Sequence, residues 1–397
     1  MKKIILLTTS FLMIIFFSGS SFEATWNIAP AFSSYIEPGY PQKDKKLHKE
    51  FSVKSGQLLD LDFRTGASIN IKGWDKEIVS IDAELGGSDW EDVNLNFNQS
   101  SSGVAVTSDY EGSHNNRSSK VEVTIKVPKK FDLKFETMGG AVTLNNIDGE
   151  MKGTTMGGAL NLSNLKGNLS LKTMGGPINL TDSDVDGKVS TMGGKVNIEN
   201  VIGNVDGSSM GGNVTVKNLQ RRDGTSIGKE THISTMGGAI ELNSAPFGAD
   251  VHTMGGDITI NSADKFVKAK TMGGKILIKS VNGSVKATTM GGNIGVTETG
   301  TGDNKDIELK SMSGDITLIV PADFSMDVEA RITYNQDESG KYKIHSDFSI
   351  NESTAQKERN NGWRKTEVLT GTGVFNSGKN KVRISTIAGD IYIKKAK

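Results

Sequence analysis

Few residues in this chain of 397 combine the types and spacing that chemistry needs. Asp182, Asp184 and Asp186 alternate ahead of a glycine, which matches the first half of a calcium-binding loop. Such a loop closes with a glutamate six residues beyond the glycine, but that position is Gly193. We therefore interpret the segment as an acidic bend between strands, with a weak millimolar calcium site as the alternative.

The other candidate motifs do not favour an enzyme. Gly207–Gly211 has the pattern Gly-x-Ser-x-Gly with Ser209 at the nucleophile position, but no helical periodicity follows it, as a nucleophile elbow requires. Asp257 follows a Gly-Gly pair and Asp315 a Ser-Gly pair, at scattered places, whereas glycosidic cleavage needs two converging carboxylates. None of the five histidines has a partner at metal-binding spacing in the sequence. The sequence thus predicts no catalytic residue, no metal site beyond the calcium alternative, and no cofactor.

The most regular feature is the tetrapeptide Thr-Met-Gly-Gly. Most successive copies begin eighteen residues apart. Only two intervals are longer, and the second of these precedes a degenerate Ser-Met-Ser-Gly copy. A last variant, Thr-Ile-Ala-Gly, begins at Thr386. A fixed period of this length is typical of proteins whose repeats stack on one another. We predict structural roles for the repeat residues, typified by Thr173, Met174, Gly175, Gly176, Thr191, Met192, Gly193, Gly194, Thr271, Met272, Gly273 and Gly274.

Between the tetrapeptides, apolar residues recur at every second position. In the unit that begins at Thr173 these residues include Ile178 and Leu180, then Val185 and Val189. A period of two indicates short strands with one buried side. We predict an all-β parallel β-solenoid of about ten coils, one for each repeat unit, stacked about 4.8 Å apart. The alternative is an antiparallel meander of hairpins, but only stacked coils require threonine, methionine and glycine to stay in phase.

The orientation of the tetrapeptide side chains follows from the same alternation. The threonines are in phase with the apolar residues and should point inward. The methionines would then point outward from a straight strand, but a glycine pair follows immediately and could turn them back into the corner. We expect the methionines to pack in a buried corner, with a partner-binding surface or no special role as alternatives. These methionines are Met138, Met156, Met174, Met192, Met210, Met236, Met254, Met272, Met290 and Met312.

Composition and patterning suggest an exported protein with a defined order of segments. The 46 basic and 46 acidic side chains balance, which argues against nucleic acid as a partner. Cysteine is absent, so disulfides and thiolate sites are excluded. A basic start, a short apolar run and small residues indicate a signal peptide. The predicted segments are a signal peptide (1–24), a polar linker (25–46), an irregular N-terminal β cap (47–130), the regular solenoid (131–320) and a C-terminal β cap (321–397).

Several short motifs, taken in order, resemble a known family. They are Gly73-Trp74-Asp75, the alternating run Val121–Pro128, the repeat units themselves, and the endings Ser313–Pro321 and Ala388–Ile393. Over about residues 47–397 the chain is similar to the bacterial putative-adhesin family of β-strand-repeat domains of unknown function. The resemblance implies a secreted, envelope-associated β-solenoid.

These observations together predict a non-enzymatic, adhesin-like structural or binding protein. The alternative is a carbohydrate-binding or carbohydrate-cleaving β-helix protein. The expected partner is a surface protein or a glycan, with no nucleic acid and no stable membrane span after signal removal. The expected location is the periplasm, the outer cell surface or the extracellular space.

Overall fold

A computed structural model describes residues 45–87, 89–111, 119–220, 230–357 and 366–397. These residues belong to one compact unit, Gln42–Lys397. The predicted signal peptide and all but the last two residues of the predicted linker lie outside the described residues. In the described part of the chain, no helix has the length and apolar character needed to cross a membrane.

The described residues form thirty strands and two short 3-10 turns, Trp90–Asp92 and Gln336–Glu338. The first strands are β1 (Lys45–Ser52), β2 (Leu58–Phe63), β3 (Ser68–Trp74), β4 (Ile78–Gly87), β5 (Val93–Ser100), β6 (Gly103–Tyr110), β7 (Ser119–Pro128) and β8 (Asp132–Thr137). The repeat region contains β9 (Val142–Thr155), β10 (Leu160–Thr173), β11 (Ile178–Thr191), β12 (Val196–Ile202), β13 (Val205–Ser209), β14 (Val214–Gln220), β15 (Thr231–Ser234), β16 (Ile240–Ala245), β17 (Ala249–His252), β18 (Ile258–Ala263), β19 (Phe266–Lys270), β20 (Ile276–Val281), β21 (Ser284–Thr289), β22 (Ile294–Glu298), β23 (Ile307–Ser311) and β24 (Ile316–Val320). The last strands are β25 (Met326–Asn335), β26 (Ile344–Ser346), β27 (Asn351–Lys357), β28 (Thr366–Phe375), β29 (Asn380–Thr386) and β30 (Ile391–Lys395).

The repeats are coils of a parallel β-solenoid, as the sequence predicts. Strand β10 pairs in parallel with β9 on one side and β11 on the other. Leu160 lies opposite Val142 and Ile178, each exactly one repeat period away, so one unit makes one coil. Since a meander of hairpins would pair neighbouring strands antiparallel, that alternative is wrong for the repeat region.

Each coil contributes to two sheets, which we call face A and face B. Face A contains the strands that follow a tetrapeptide, and face B contains the strands that end at its first residue or one residue before it. The first full repeats, β9 to β11, run through both faces as continuous 14-residue strands. They bend at Asn146, Asn164 and Asp182, whose φ angles of 60°, 53° and 51° lie in the left-handed region that asparagine and aspartate tolerate. The paired strands are β12, β14, β16, β18, β20, β22 and β24 on face A, and β13, β15, β17, β19, β21 and β23 on face B.

The core is a set of aliphatic columns between the two faces. In one coil Ile178, Leu180, Val185 and Val189 are all fully buried. The positions equivalent to Ile178 and Leu180 are aliphatic and buried in the other coils too, so these two columns continue from coil to coil. Burial of one such side chain contributes about 1.5–3 kcal/mol, and this repeats in every coil. Stability therefore comes from thin columns with neighbour-to-neighbour contacts.

Antiparallel strands close both ends of the stack. At the N-terminal end β4 pairs antiparallel with β7 and β1 on face A, while β5 pairs antiparallel with β6 on face B. At the C-terminal end β28 pairs antiparallel with β25 and β27. The last tetrapeptide variant belongs to the coil next to Ser311–Gly314, because β29 pairs with β23 and β30 with β24. Closing strands of this kind cover sheet edges that would otherwise pair with other chains.

Candidate functional site: the threonine–methionine corner

The tetrapeptide threonines are buried and join neighbouring coils through their hydroxyl groups. Thr191 Oγ1 donates a hydrogen bond to the carbonyl of Gly176 in the preceding coil (2.8 Å) and accepts one from the Gly194 N–H (3.1 Å). Thr173 and Thr271 make equivalent pairs of bonds. The hydroxyl thus satisfies one buried donor and one buried acceptor at each corner. This explains why a hydroxyl residue, rather than valine, ends each face B strand.

Ser209 has the same role as the threonines. Its Oγ donates to the carbonyl of Gly194 (2.8 Å) and accepts from the Gly212 N–H (2.9 Å). Ser209 is buried at the end of β13, and a bend rather than a helix follows it. The serine of the Gly-x-Ser-x-Gly pattern is therefore bonded as a structural hydroxyl.

The second glycine of each tetrapeptide approaches the previous coil too closely for a side chain. A Cβ added at Gly176 would lie 2.1 Å from the carbonyl oxygen of Gly158. At Gly194 and Gly274 the corresponding distance is 2.0 Å, to Gly176 and Gly256. No rotamer can relieve a clash between Cβ and backbone. The second glycine is required by the spacing of the coils.

The first glycine is under a weaker constraint. A Cβ at Gly175 would lie 3.4 Å from the nearest atom, and at Gly193 and Gly273 that distance is 3.3 Å. The degenerate copies agree with this difference, since Ser313 and Ala388 replace the first glycine while the second is kept. The two glycines, identical in the sequence, thus have different physical roles.

The methionines are exposed, so our expectation of a buried corner is wrong. Met174, Met192 and Met272 have 36%, 39% and 43% of their surface exposed, and all ten tetrapeptide methionines lie between 36% and 57%. The reason is that the strand stays extended through the threonine, so the next side chain points to the opposite side. The chain turns only after the methionine, at the glycine pair.

The methionines form one continuous column, which we call the methionine column. The Met254 N–H donates to the carbonyl of Met236 (3.2 Å), and the Met272 N–H donates to that of Met254 (3.1 Å), so successive methionines lie on adjacent coils. Ile387 follows Met312 at the C-terminal end. With a rise of about 4.8 Å per coil, the eleven apolar side chains span about 48 Å. A column of this length is a large exposed apolar feature.

A groove of about 540 Å³ runs beside the middle of the methionine column. The methionines that line it are Met192, Met210, Met236 and Met254. Its other side is formed by the column of residues just before the threonines, where Ser190, Ser208 and Ser234 are followed by His252. The three small serines leave the groove open between the larger side chains.

The acidic residues proposed for calcium have separate hydrogen-bond partners. Asp182 Oδ1 accepts from Asn200 Nδ2 (3.0 Å), and Asp186 Oδ1 accepts from the Asn204 N–H (2.8 Å). Asp184 lies between them on β11, half-buried. The bonds of Asp182 and Asp186 extend to the next coil, so these side chains help to hold the coils in register.

A different group of possible metal ligands converges on face B. Among the described residues, Glu230, His232 and Asp250 have ligand atoms within 4.8 Å of one another. His232 Nε2 lies 3.4 Å from Glu230 Oε1, but Lys268 Nζ lies 3.8 Å from the other carboxylate oxygen. In the sequence, no histidine has such neighbours at metal-binding spacing. The repeat period could have indicated this pair, because Asp250 follows His232 by one repeat unit and lies opposite it on the next strand.

Glu298 is a buried carboxylate that the sequence analysis did not identify. It pairs with Val281 and so occupies an aliphatic column. Its side chain accepts hydrogen bonds from the Gly300 N–H (2.8 Å) and the Gly283 N–H (3.4 Å), and Lys305 Nζ lies 3.9 Å away. Burial raises the pKa of Glu298 to about 7, although these partners favour the charged form. The carboxylate therefore titrates near neutral pH inside the core.

Face B also has a charged groove of about 450 Å³ near the C-terminal end of the repeats. Phe266, Lys268, Lys286 and Lys310 line it. Glu308 bridges two of the lysines, and its hydrogen bonds to Lys286 and Lys310 lower the pKa of Glu308. The cations outnumber the acids here, which suits a ligand with negative or strongly polar groups.

Together these features define the class of the protein, a parallel β-solenoid with exposed side-chain columns and grooves along its coils. A sequence match agrees with this class, since residues 249–394 match the family model described as Toastrack DUF4097. The resemblance to a β-strand-repeat family of unknown function is thus confirmed over residues 249–394. No curated relative matches the chain.

Several solved structures are similar to the chain at low identity. A putative adhesin from Bacteroides fragilis has 14% identity and a TM-score of 0.26, covering 70% of this chain and 97% of that one. A putative adhesin from Parabacteroides merdae has 12% identity and a TM-score of 0.24, covering 89% and 97%. A putative cell adhesion protein from Clostridium sporogenes has 10% identity and a TM-score of 0.19, covering 89% and 100%. Neither the fold nor the site described above depends on these likenesses.

Proposed function

We propose that the chain is an exported, envelope-associated, non-enzymatic solenoid that acts as an adhesin-like spacer and binding rod. The observation that carries this proposal is the uninterrupted parallel stack, in which every coil presents the same outward columns. Such a stack fixes the distance between its two ends and offers an extended surface to a partner. The partner that we propose is a surface protein or a glycan.

The non-enzymatic role is supported by the bonds of the groups that could do chemistry. Ser209 is bonded to two coils, as described above. Asp257 Oδ1 accepts from the Lys275 N–H (2.9 Å), and Asp315 Oδ1 accepts from the Asp390 N–H (2.8 Å). In both cases the carboxylate joins its own coil to the next coil.

The spacer role can be tested by changing the number of coils. One variant lacks residues 174–191, and a second contains three extra copies of that unit. Because one coil adds about 4.8 Å, the two variants should differ in length by about 19 Å. Small-angle scattering and electron microscopy measure this length, and circular dichroism confirms the β-structure. Loss of folding in both variants, or an unchanged length, would contradict the proposal.

The binding role can be tested at the charged groove of face B. The variant Lys286→Glu/Lys310→Glu reverses two cations of the groove. Lys166→Glu/Lys195→Glu is the matched control, because it makes the same charge change at exposed positions outside the groove. Binding to isolated cell envelopes and to a glycan panel should fall at least tenfold in the first variant and stay within twofold in the control. Catalytic turnover of a polysaccharide, abolished by a single carboxylate substitution, would instead favour the carbohydrate-cleaving alternative.

Export can be tested separately by cell fractionation. The full chain should lose its first residues and appear outside the cytoplasm, whereas a chain without residues 1–24 should remain inside. Intact-mass measurement of the exported protein gives the cleavage position. Retention of both forms in the cytoplasm would contradict the proposed location.

A further inference from the structure

We propose that the middle of the methionine column, Met192 to Met254, together with His252, binds a soft monovalent metal ion, Cu(I) or Ag(I). This site is additional to the proposed spacer and binding role and does not depend on it. The ligands would be methionine thioether sulfurs from adjacent coils and one imidazole nitrogen.

The first observation is that methionine is kept at a position where the fold does not require it. Ten of the eleven tetrapeptide copies have methionine, and the last copy has Ile387, although each of these methionine side chains is 36–57% exposed. The outward position just before the threonine varies among five residue types over the same ten coils, and so does the position after the second glycine. A recent duplication of whole units would have kept those positions alike too. The thioether itself therefore has a role in this column.

The second observation is the chemistry of the donor set. Thioether sulfur is a soft, polarizable ligand that selects Cu(I) over harder ions such as Mg²⁺ or Ca²⁺. The chain contains no cysteine, so thioethers are its only sulfur donors. In an oxidising compartment a thioether ligand also avoids the disulfide formation that would consume a thiol.

The third observation is spacing. Successive methionines occupy adjacent coils, as the hydrogen bond from the Met254 N–H to the Met236 carbonyl shows. The bond between zinc and a thiolate sulfur is about 2.3 Å long. With a bond of this length, an ion midway between two sulfurs holds them about 4.6 Å apart. The rise between coils is about 4.8 Å. Since methionine has three flexible side-chain bonds, neighbouring sulfurs can close on one ion without moving the backbone.

The surroundings locate the site in the middle of the column. His252 is exposed and lines the same groove as Met236 and Met254, so its imidazole can supply a further ligand. Ser190, Ser208 and Ser234 leave the space beside the sulfurs open. In the column of residues just before the threonines, Lys172 and Lys270 lie on either side of the serines and His252. Their positive charge disfavours a cation at those two coils.

The test uses the full chain with Ag(I) as the probe, because Ag(I) is soft and does not change its oxidation state during the titration. Native mass spectrometry counts the bound ions and calorimetry gives the affinity. We expect specific binding at micromolar Ag(I). The triple variant Met210→Leu/Met236→Leu/Met254→Leu should weaken it at least tenfold, and His252→Ala should weaken it several-fold. Anaerobic competition for Cu(I) with a chelator should give the same order of affinities.

The control variant, Met138→Leu/Met290→Leu/Met312→Leu, removes the same number of thioethers from other parts of the column. Its affinity should stay within twofold of the unchanged protein. Leucine keeps the volume and apolar character of these exposed positions, and circular dichroism checks that each variant folds. Absence of Ag(I) binding at micromolar concentration would overturn the proposal. Equal weakening in the two triple variants, or binding of Zn²⁺ as tight as that of Ag(I), would also overturn it.

Discussion

The difference between the two glycines of one tetrapeptide gives a sharp prediction. Alanine at Gly194 places Cβ 2.0 Å from the backbone oxygen of Gly176, far inside the 3.4 Å at which ordinary contact begins. Because both atoms are fixed to the backbone, the coils must separate locally. Overpacking of this kind costs about 1–3 kcal/mol, and occasionally more. Separation also weakens the two hydrogen bonds of Thr191, each worth about 0.5–1.5 kcal/mol.

We therefore expect Gly194→Ala to destabilise the protein by about 2–6 kcal/mol, the sum of these two effects. Gly193→Ala is the matched control, since its Cβ would lie 3.3 Å from the Gly175 oxygen, barely inside the 3.4 Å limit of ordinary contact. Its effect should stay within about 1 kcal/mol, because the small strain is offset by the reduced freedom of the unfolded chain.

Urea denaturation followed by circular dichroism measures both variants against the unchanged protein. Hydrogen exchange of the amides in β11 and β13 then shows whether the loss is local to the coils that meet at Gly194. Equal destabilisation by the two substitutions would refute the reasoning, since they add the same methyl group one residue apart. So would a Gly194→Ala variant as stable as the parent.

Substitutions at three further positions test other parts of the stack. Thr191→Val leaves the Gly194 N–H and the Gly176 carbonyl without a partner and should cost about 2–4 kcal/mol in urea denaturation, whereas Thr191→Ser should cost under about 1 kcal/mol. Leu180→Ala removes a fully buried side chain and should cost about 2–5 kcal/mol by the same assay. Because burial raises the pKa of Glu298 from 4.5 to about 7, its contribution to stability is fully present below pH 4.5 and is lost as pH rises to about 7. This loss of stability is about 3 kcal/mol at 1.36 kcal/mol per unit of pKa. Glu298→Gln should therefore flatten the pH dependence of the thermal unfolding temperature. A pH dependence equal to that of the unchanged protein would contradict this.

The solenoid could be predicted from the sequence because the period determines which residues share a column. Once the period is known, Leu160 must stack on Ile178, and an apolar residue at every second position fixes which side is buried. The inward direction of Thr191 followed from the same alternation and is confirmed.

The corner could not be predicted in the same way. The direction of Met192 depends on whether the turn begins before or after it, and the sequence of the glycine pair does not specify that. The distinction between Gly193 and Gly194 also depends on a distance between coils. Ser313 and Ala388 carried a signal for this distinction, which is visible only when the degenerate copies are aligned with the regular ones.

The metal-ligand group on face B and Glu298 were not predicted from the sequence, for two different reasons. His232 and Asp250 lie one period apart, so the register could have brought them together, but Glu230 lies just before the first residue of β15, next to the longer interval between repeats. Glu298 falls where a register shift interrupts the pairing of β20 with β22, and a shift of this kind cannot be derived from a regular period.

The placement of β29 between β23 and β25 has a consequence for the order of assembly. Among the described residues, β23 and β24 receive their outer partners from residues 380–395, which are made after all the strands of the repeats. Until those residues arrive, the growing stack ends in open parallel edges that can recruit another chain. A polypeptide interrupted before Asn380 should therefore associate through these edges, because β29 is the strand that joins the closing strands β25, β28 and β27 to the stack.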